Sequence, residues 1–292
     1  MLSAADLRAT SRRRRAPYSD KQHYHEYILQ RIEGYKNSID RDELLRLGDE
    51  AASELAATSE GQFVLTEVLM LETVDRLIMK RLALRPYRRW RQQFIKLREA
   101  QRTPTHWGLE SSCALGRLAP RIEPRDTTLL IGSGAEPAAY LLAAYDAAVT
   151  FVACDLGCVD RIESRMAAEA LGAMFEGYVA QLGPTLPPFL DYVEELHLVV
   201  LDPSAIAEFP PPVRGEFLED IQRRSRPGAV HVILGSCPGL VPESLGSLYD
   251  GWLRDCAEPR RRRRSNRRPD DLVLIKPSCP PDTRATPIAA SL

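Results

Sequence analysis

The chain has 292 residues, 44% of them hydrophobic, enough for one large domain with an appendage and a sizeable core. Its 39 basic and 40 acidic residues nearly cancel, so no global field points to nucleic acid or to an acidic membrane surface. No run of 18 apolar residues occurs and the basic amino terminus lacks an apolar stretch, so no spanning helix and no signal peptide are expected and a cytoplasmic protein follows.

Residues 1–19 read as a disordered basic tail containing Arg12 to Arg15. From residue 20 to 103 apolar residues recur at helical spacing, which predicts an all-helical amino-terminal domain. Tyr24, Tyr27, Ile28 and Ile32 form one stripe. Leu44, Leu45, Ala51, Ala52 and Leu55 form a second, with Ser38 or Asp40 at its start. Val64, Leu65, Val68, Leu69, Leu71, Leu77 and Ile78 form a third, separated from the second by Thr58, Ser59 and Gly61. Pro86 restarts a fourth helix, PYRRWRQQFIKLREAQ, basic on one side. Core packing is the favoured reading of Tyr24, His25 and Tyr27; a lid is the alternative.

The pattern changes at Pro104. After a short helix around Glu110 to Leu118, five apolar runs each precede a helical stretch: TTLLIG, VTFVACD, MFEGYVAQ, HLVVLDPS and AVHVILGS. Such a series implies an α/β domain over 104–278, a Rossmann-like, mostly parallel sheet with helices on both faces. DDLVLIKP, Asp270 to Pro277, reads as a last strand and 279–292 as a flexible tail.

Gly132 and Gly134 close the first strand in a tight turn, where a backbone without Cβ can approach a ligand and the next helix offers unpaired N–H groups. Asp155 stands 23 residues after Gly132, at the end of the second strand, where its carboxylate can take both hydroxyls of a ribose. A dinucleotide site wants a third glycine where Pro137 stands, and Glu136 suits a pyrophosphate poorly. A ligand with a cationic centre and no phosphate, S-adenosylmethionine, fits better.

With these motifs, residues 126 to 277 resemble the class I S-adenosylmethionine-dependent methyltransferase fold: IGSGAEP as the glycine motif, ACD ending strand two, LDPS ending strand four, RPGAVHVIL leading strand five, and a last strand that the fold inserts antiparallel. The resemblance implies that Gly132, Ser133, Gly134 and Glu136 line the methionine end. It also implies that Asp155 holds the ribose, that Leu156 flanks the adenine, and that Asp202 and Pro203 floor the transfer site. Gln181 stands where the family often has an acid for the adenine amine. The segment after Asp202 lacks the aromatic of the Asn/Asp-Pro-Pro-Tyr motif, which argues against methylation of an amide or base nitrogen. A small-molecule acceptor is therefore expected, with no nucleic acid and no membrane as partner and a homodimer left open.

A narrower likeness, in G-S-G-x-x-P and the helical LLRLGDEAASELAA, is to the nicotianamine synthase group, which implies transfer of the aminocarboxypropyl arm. An idle partner-binding module and a nicotinamide-dependent reductase are further readings. His106 is the candidate general base, since its pKa lies near working pH; capping beside Trp107 is its plainer role. His197 and His231 read as structural. Ser236 and Cys237 lack a nucleophile elbow.

Cys113, Cys154, Cys158, Cys237, Cys256 and Cys279 form no C-x-x-C pair, and no histidine stands at zinc-ligand spacing, so reduced, mostly buried thiols and no metal are expected. Arg260 to Arg268 holds seven arginines without an interleaved aromatic, which favours a solvated sheet edge over an RNA site.

Overall fold

The computed structural model describes residues 19–58, 67–171, 174–235, 240, 242–255 and 271–278. The basic run Arg12 to Arg15, Ser59 and Gly61, Val64 and Leu65, Ser236, Cys237, Cys256, the tract Arg260 to Arg268 and the tail from Cys279 lie outside them. The chain divides into two compact units, Tyr18–Leu97 and the part from Arg98 onward.

The first unit is helical: α1 (Asp20–Ser38), α2 (Arg41–Thr58), α3 (Glu67–Arg81) and the start of α4 (Tyr87–Gln101). Ser19 and Gln22 make a reciprocal capping box at α1, and the Asp40 carboxylate accepts the Glu43 N–H at 2.7 Å to start α2. Its buried hydrophobic cluster is small: Ile32, Leu47, Ala51, Val74, Leu77 and Ile78. The stripes expected from Leu44, Leu45, Val68 and Leu71 do not face it; Leu45 is 59% and Val68 63% exposed. On α2 the inward ridge is Leu47 and Ala51, one helical turn apart; Ala51 belongs to the expected stripe and Leu47 does not. Tyr24, Tyr27 and Tyr87 pack around buried Trp90, which stacks on Phe94 at 4.7 Å.

The second unit carries a seven-stranded sheet in the order β3-β2-β1-β4-β5-β7-β6. The strands are β1 (Thr127–Ile131), β2 (Ala148–Ala153), β3 (Phe175–Val179), β4 (Leu196–Leu201), β5 (Ser225–Ile233), β6 (Leu253–Arg254) and β7 (Leu272–Ile275). β1 to β5 are parallel, and β7 runs antiparallel to β5, as expected for a last inserted strand. Alternate residues feed two cores, as period-two side chains buried on both faces must. Leu130, Phe151, Val200 and Val232 pack under α5 (Ala114–Leu118), α6 (Glu136–Ala144) and α7 (Leu156–Ala168). Leu129, Ile131, Leu201 and Ile233 pack under α8 (Pro211–Arg224) and α9 (Pro242–Gly246).

Two connections differ from the five regular strand–helix repeats. Between β3 and β4 the expected helix is a single 3₁₀ turn, Pro188–Leu190, because Pro184, Pro187 and Pro188 withdraw N–H donors and constrain their predecessors. After β5, helix α9 lasts five residues, and Gly251 at φ +71° turns the chain into the short β6.

His231 lies in β5 at 1% exposure, with Nε2 2.8 Å from the Ser225 hydroxyl and Nδ1 3.0 Å from the Tyr249 hydroxyl. Burial, helped by the nearby Lys276, pulls its pKa down to about 3. His197 in β4 accepts the Thr127 N–H through Nδ1 and meets Asp126 through Nε2 at 2.9 Å. Both are tied into the sheet.

Candidate active site

The sheet order reverses between β1 and β4, which run parallel from a shared centre toward opposite edges. In an open α/β sheet the crevice at the carboxyl ends of those two strands is where a ligand binds. The residues at that point are Gly132 to Gly134 after β1 and Asp202 to Ser204 after β4; Asp155 follows the neighbouring β2.

Gly132 takes φ +91°, open to glycine without strain, and a Cβ on it would stand 2.8 Å from the Asp202 Cβ. A Cβ on Gly134 would stand 2.6 Å from Asp202 Oδ2. The glycine pair thus admits a carboxylate of the chain itself. Asp202, 4% exposed, accepts the Gly134 N–H at 2.8 Å and the Ser204 hydroxyl at 2.6 Å on Oδ2, and the Ser204 N–H at 3.0 Å on Oδ1. Three donors on one buried carboxylate make a clamp between the two strand ends and leave little capacity for work as a base. Pro203, buried, opens the 3₁₀ turn that carries Ser204.

Asp155 caps α7 through Oδ1, which accepts the Gly157 N–H at 3.0 Å; Oδ2 has no hydrogen-bond partner among the described residues. Its side chain and that of Leu156, 68% exposed, stand at the mouth. β2 and β3 pair as far as Ala153↔Val179, and exposed Gln181 follows β3 as Asp155 follows β2.

Glu136, the acid of the glycine turn, is not a free negative charge. Burial alone would raise its pKa, but the Arg161 guanidinium at 2.9 Å and the Tyr140 hydroxyl, also at 2.9 Å, hold it below the ordinary carboxylate range. Glu136 therefore has its charge matched within the chain, which removes the Coulombic argument for a cationic ligand that rested on it. Arg161, Tyr140 and Ser204 were not singled out in the sequence. An i, i+4 spacing on one helix is the available signal for Glu136 and Tyr140, and the two-residue spacing within LDPS is the signal for Asp202 and Ser204; nothing local announces Arg161.

Cys158 is buried on α7, and burial pushes its thiol pKa up, offset in part by the nearby Ser133. Cys154 is exposed, against the expectation of mostly buried thiols, because β2 ends one residue earlier. No group of histidine, cysteine and carboxylate among the described residues is arranged to hold a metal.

His106 is not brought into the crevice by any hydrogen bond. It sits exposed on the 3₁₀ turn Pro104–Trp107, edge-on to Trp107 at 4.5 Å. Trp107 stacks on Tyr140 at 4.9 Å, and Arg165 lies over both rings.

No protein-family model and no curated protein matches the chain. Solved structures do resemble it. A TehB-like SAM-dependent methyltransferase from Corynebacterium glutamicum ATCC 13032 Kitasato is 14% identical, with 65% of this chain and 97% of that one covered and a TM-score of 0.42. The N-methyltransferase NodS from Bradyrhizobium japonicum WM9 is 14% identical over 56% of this chain and 92% of its own, with a TM-score of 0.41. An rRNA methylase from Streptococcus thermophilus is 14% identical over 56% and 94%, with a TM-score of 0.40. Likeness at this level assigns no role to any residue of this chain. No helix among the described residues is long and apolar enough to cross a membrane.

Proposed function

We propose that the chain is an S-adenosylmethionine-dependent transferase, in first place a methyltransferase acting on a small molecule. One observation carries the reading: at the switch point, a glycine turn without a third glycine faces an exposed Asp155 that keeps a carboxylate oxygen open. The antiparallel β7 agrees with the fold that the sequence resembles.

The residues present suit this cofactor. Asp155 Oδ2 is available to accept from ribose hydroxyls, exposed Leu156 offers an apolar face to adenine, and Gln181 offers an amide oxygen to the adenine amine. Gly132, Ser133 and Gly134 line the methionine end. Asp202 and Pro203 hold that turn in place, and Glu136, matched by Arg161, contributes position without net charge. When bound, the cofactor supplies a methyl group on a sulfonium. The chain's part is orientation: it fixes the ribose, adenine and turn so that an acceptor lone pair can stand in line, and positioning supplies most of the acceleration. A base is optional for such an acceptor, and His106 is the candidate.

The test is calorimetric titration with S-adenosylmethionine, S-adenosylhomocysteine and the nicotinamide dinucleotides. The first two are expected to bind and the dinucleotides not; the opposite pattern overturns the reading. Asp155→Ala is expected to weaken cofactor binding by about tenfold or more, the worth of hydrogen bonds to a charged group, while the protein stays folded and loses only the α7 cap, about 0.5–2 kcal/mol. Release of S-adenosylhomocysteine on turnover identifies methyl transfer; release of methylthioadenosine identifies transfer of the aminocarboxypropyl arm.

A further inference from the structure

From Arg76 to Arg98 the chain carries nine basic residues and no acidic one. Inside a helical unit whose other helices are rich in acids, most such cations would find partners, and several do. Arg76 meets Glu54 at 3.3 Å, Arg81 meets Glu43 and Glu50, Arg91 meets Asp20 at 2.6 Å, and Arg98, in the second unit, meets Asp146.

Lys80, Arg85, Arg88, Arg89 and Lys96 do not. All five are exposed, and none makes an ion pair among the described residues. The Arg85 guanidinium donates to the neutral Gln93 side chain, and its carbonyl accepts the Tyr24 hydroxyl at 2.9 Å. Four of the five lie on or next to α4. On α4, Arg88 and Arg91 are three residues apart, neighbours on the helix surface, so their like charges repel. Folding gains nothing from this concentration of charge.

Aromatic rings stand among the cations. Tyr87, half-buried, lies between Pro86 and Arg88 in the chain and stacks on Trp90 at 6.3 Å; half-buried Tyr24 meets its edge at 5.3 Å, and half-buried Tyr27 lies 6.0 Å from Trp90. Guanidinium forks match phosphate oxygens, and an aromatic ring at the rim offers a base a surface to stack on. An anionic bilayer is a poorer match, since the large apolar residues that α4 exposes are Ile95 and Leu97, each under two-fifths exposed.

We propose that the surface formed by Arg85, in the connection before α4, and by Arg88, Arg89 and Lys96 on α4 is a docking surface for single-stranded nucleic acid. The surface belongs to the helical unit and does not depend on the transferase reading. The sequence as a whole is nearly neutral; the charge that matters is gathered on α4 and the connection before it. Arg260 to Arg268 takes no part in the proposal.

The test is fluorescence anisotropy of the full-length protein with a labelled 20-nucleotide single-stranded RNA, in salt from 50 to 200 mM. Wild type is expected to bind at low salt. The combined variant Arg88→Glu/Arg89→Glu/Lys96→Glu is expected to bind at least tenfold more weakly at 50 mM. Its slope of log K against log salt is expected to be shallower by about 2, since each lost phosphate contact on a single strand removes about 0.7. Circular dichroism checks the fold, and Arg88→Ala/Arg89→Ala replaces the reversal if that variant is unfolded. No binding by wild type at 50 mM overturns the proposal. Binding that survives the substitutions overturns the assignment to α4. Polyglutamate of equal charge competing as well as RNA makes the face a site for an acidic protein instead.

Discussion

The helical unit and the sheet unit are held together by different forces. The sheet is buried on both faces, with side chains from adjacent strand positions entering separate cores that each contain more than a dozen buried apolar residues. The helical unit gathers six such residues in one cluster, with Trp90 and Phe94 buried besides, and adds cross-helix ion pairs such as Lys36 with Asp75 and Arg81 with Glu50. Exposed pairs of that kind contribute about 0–1 kcal/mol each, whereas a buried large side chain contributes about 1.5–3. The helical unit should therefore open at lower free energy than the sheet, as a separate cooperative element.

The largest effect that tests this contrast is a cavity in each unit. Phe151→Ala, in the centre of β2, is expected to cost about 3–5 kcal/mol and to lower the global transition seen by denaturant titration. Ile78→Ala, cut from the smaller cluster, should accelerate hydrogen exchange across residues 20–97 and leave β1, β2 and β4 protected. Equal loss of protection in both would break the comparison.

Next in size is the glycine turn. Gly134→Ala places a methyl group 2.6 Å from Asp202 Oδ2, so the clamp must shift. A loss of about 1–3 kcal/mol is expected on thermal unfolding, with loss of ligand binding in the same titration that tests Asp155. The helical unit's exchange pattern should not change.

A pH effect follows. The folded pKa of His231 is depressed to about 3 from 6.5, so between those values the unfolded chain binds the extra proton. Its contribution to stability is complete above about pH 6.5 and falls toward pH 3 by up to about 1.4 kcal/mol per pH unit. His231→Gln should flatten that part of the stability profile of the sheet unit. A slope unchanged by the substitution would place the titrating group elsewhere.

The smallest effect is expected from Arg81→Ala. It removes contacts to Glu43 and Glu50 on α2, and about 0.2–1 kcal/mol should be lost from the helical unit at low salt and less at high salt. A loss several times larger would mean that ion pairs, and not the small core, set that unit's stability.

Strand runs and the turn–acid spacing were legible because they are local. TTLLI and AVTFVA are apolar on both faces, and Asp155 follows the second of them by fold-independent counting. What fills the space beside Gly134 was not legible, since Asp202 stands 68 residues away and belongs to another strand. The Arg161 partner of Glu136 is hidden for the same reason, at a separation of 25. The helical stripes misled differently: Leu44, Leu45 and Leu47 all stand on one short stretch, and only packing selects Leu47. The connection at Pro184 to Pro188 was read through its leucines, and its prolines prevailed.

The antiparallel β7 has a consequence for how the chain is made. Val230 in β5 pairs with Ile275, and the Lys276 ammonium donates to the carbonyls of Gln222 at 2.8 Å and Ser225 at 2.6 Å, closing the end of α8 from more than fifty residues downstream. On a ribosome, α8 and β5 emerge complete yet with an open hydrogen-bonding edge and unpaired carbonyls until residue 276 leaves the exit tunnel. A nascent or prematurely terminated chain that stops short of that residue carries a bare strand, an invitation to chaperones and to intermolecular pairing. Closure of the sheet therefore waits on β7, whose residues follow β5 by about forty positions in the chain.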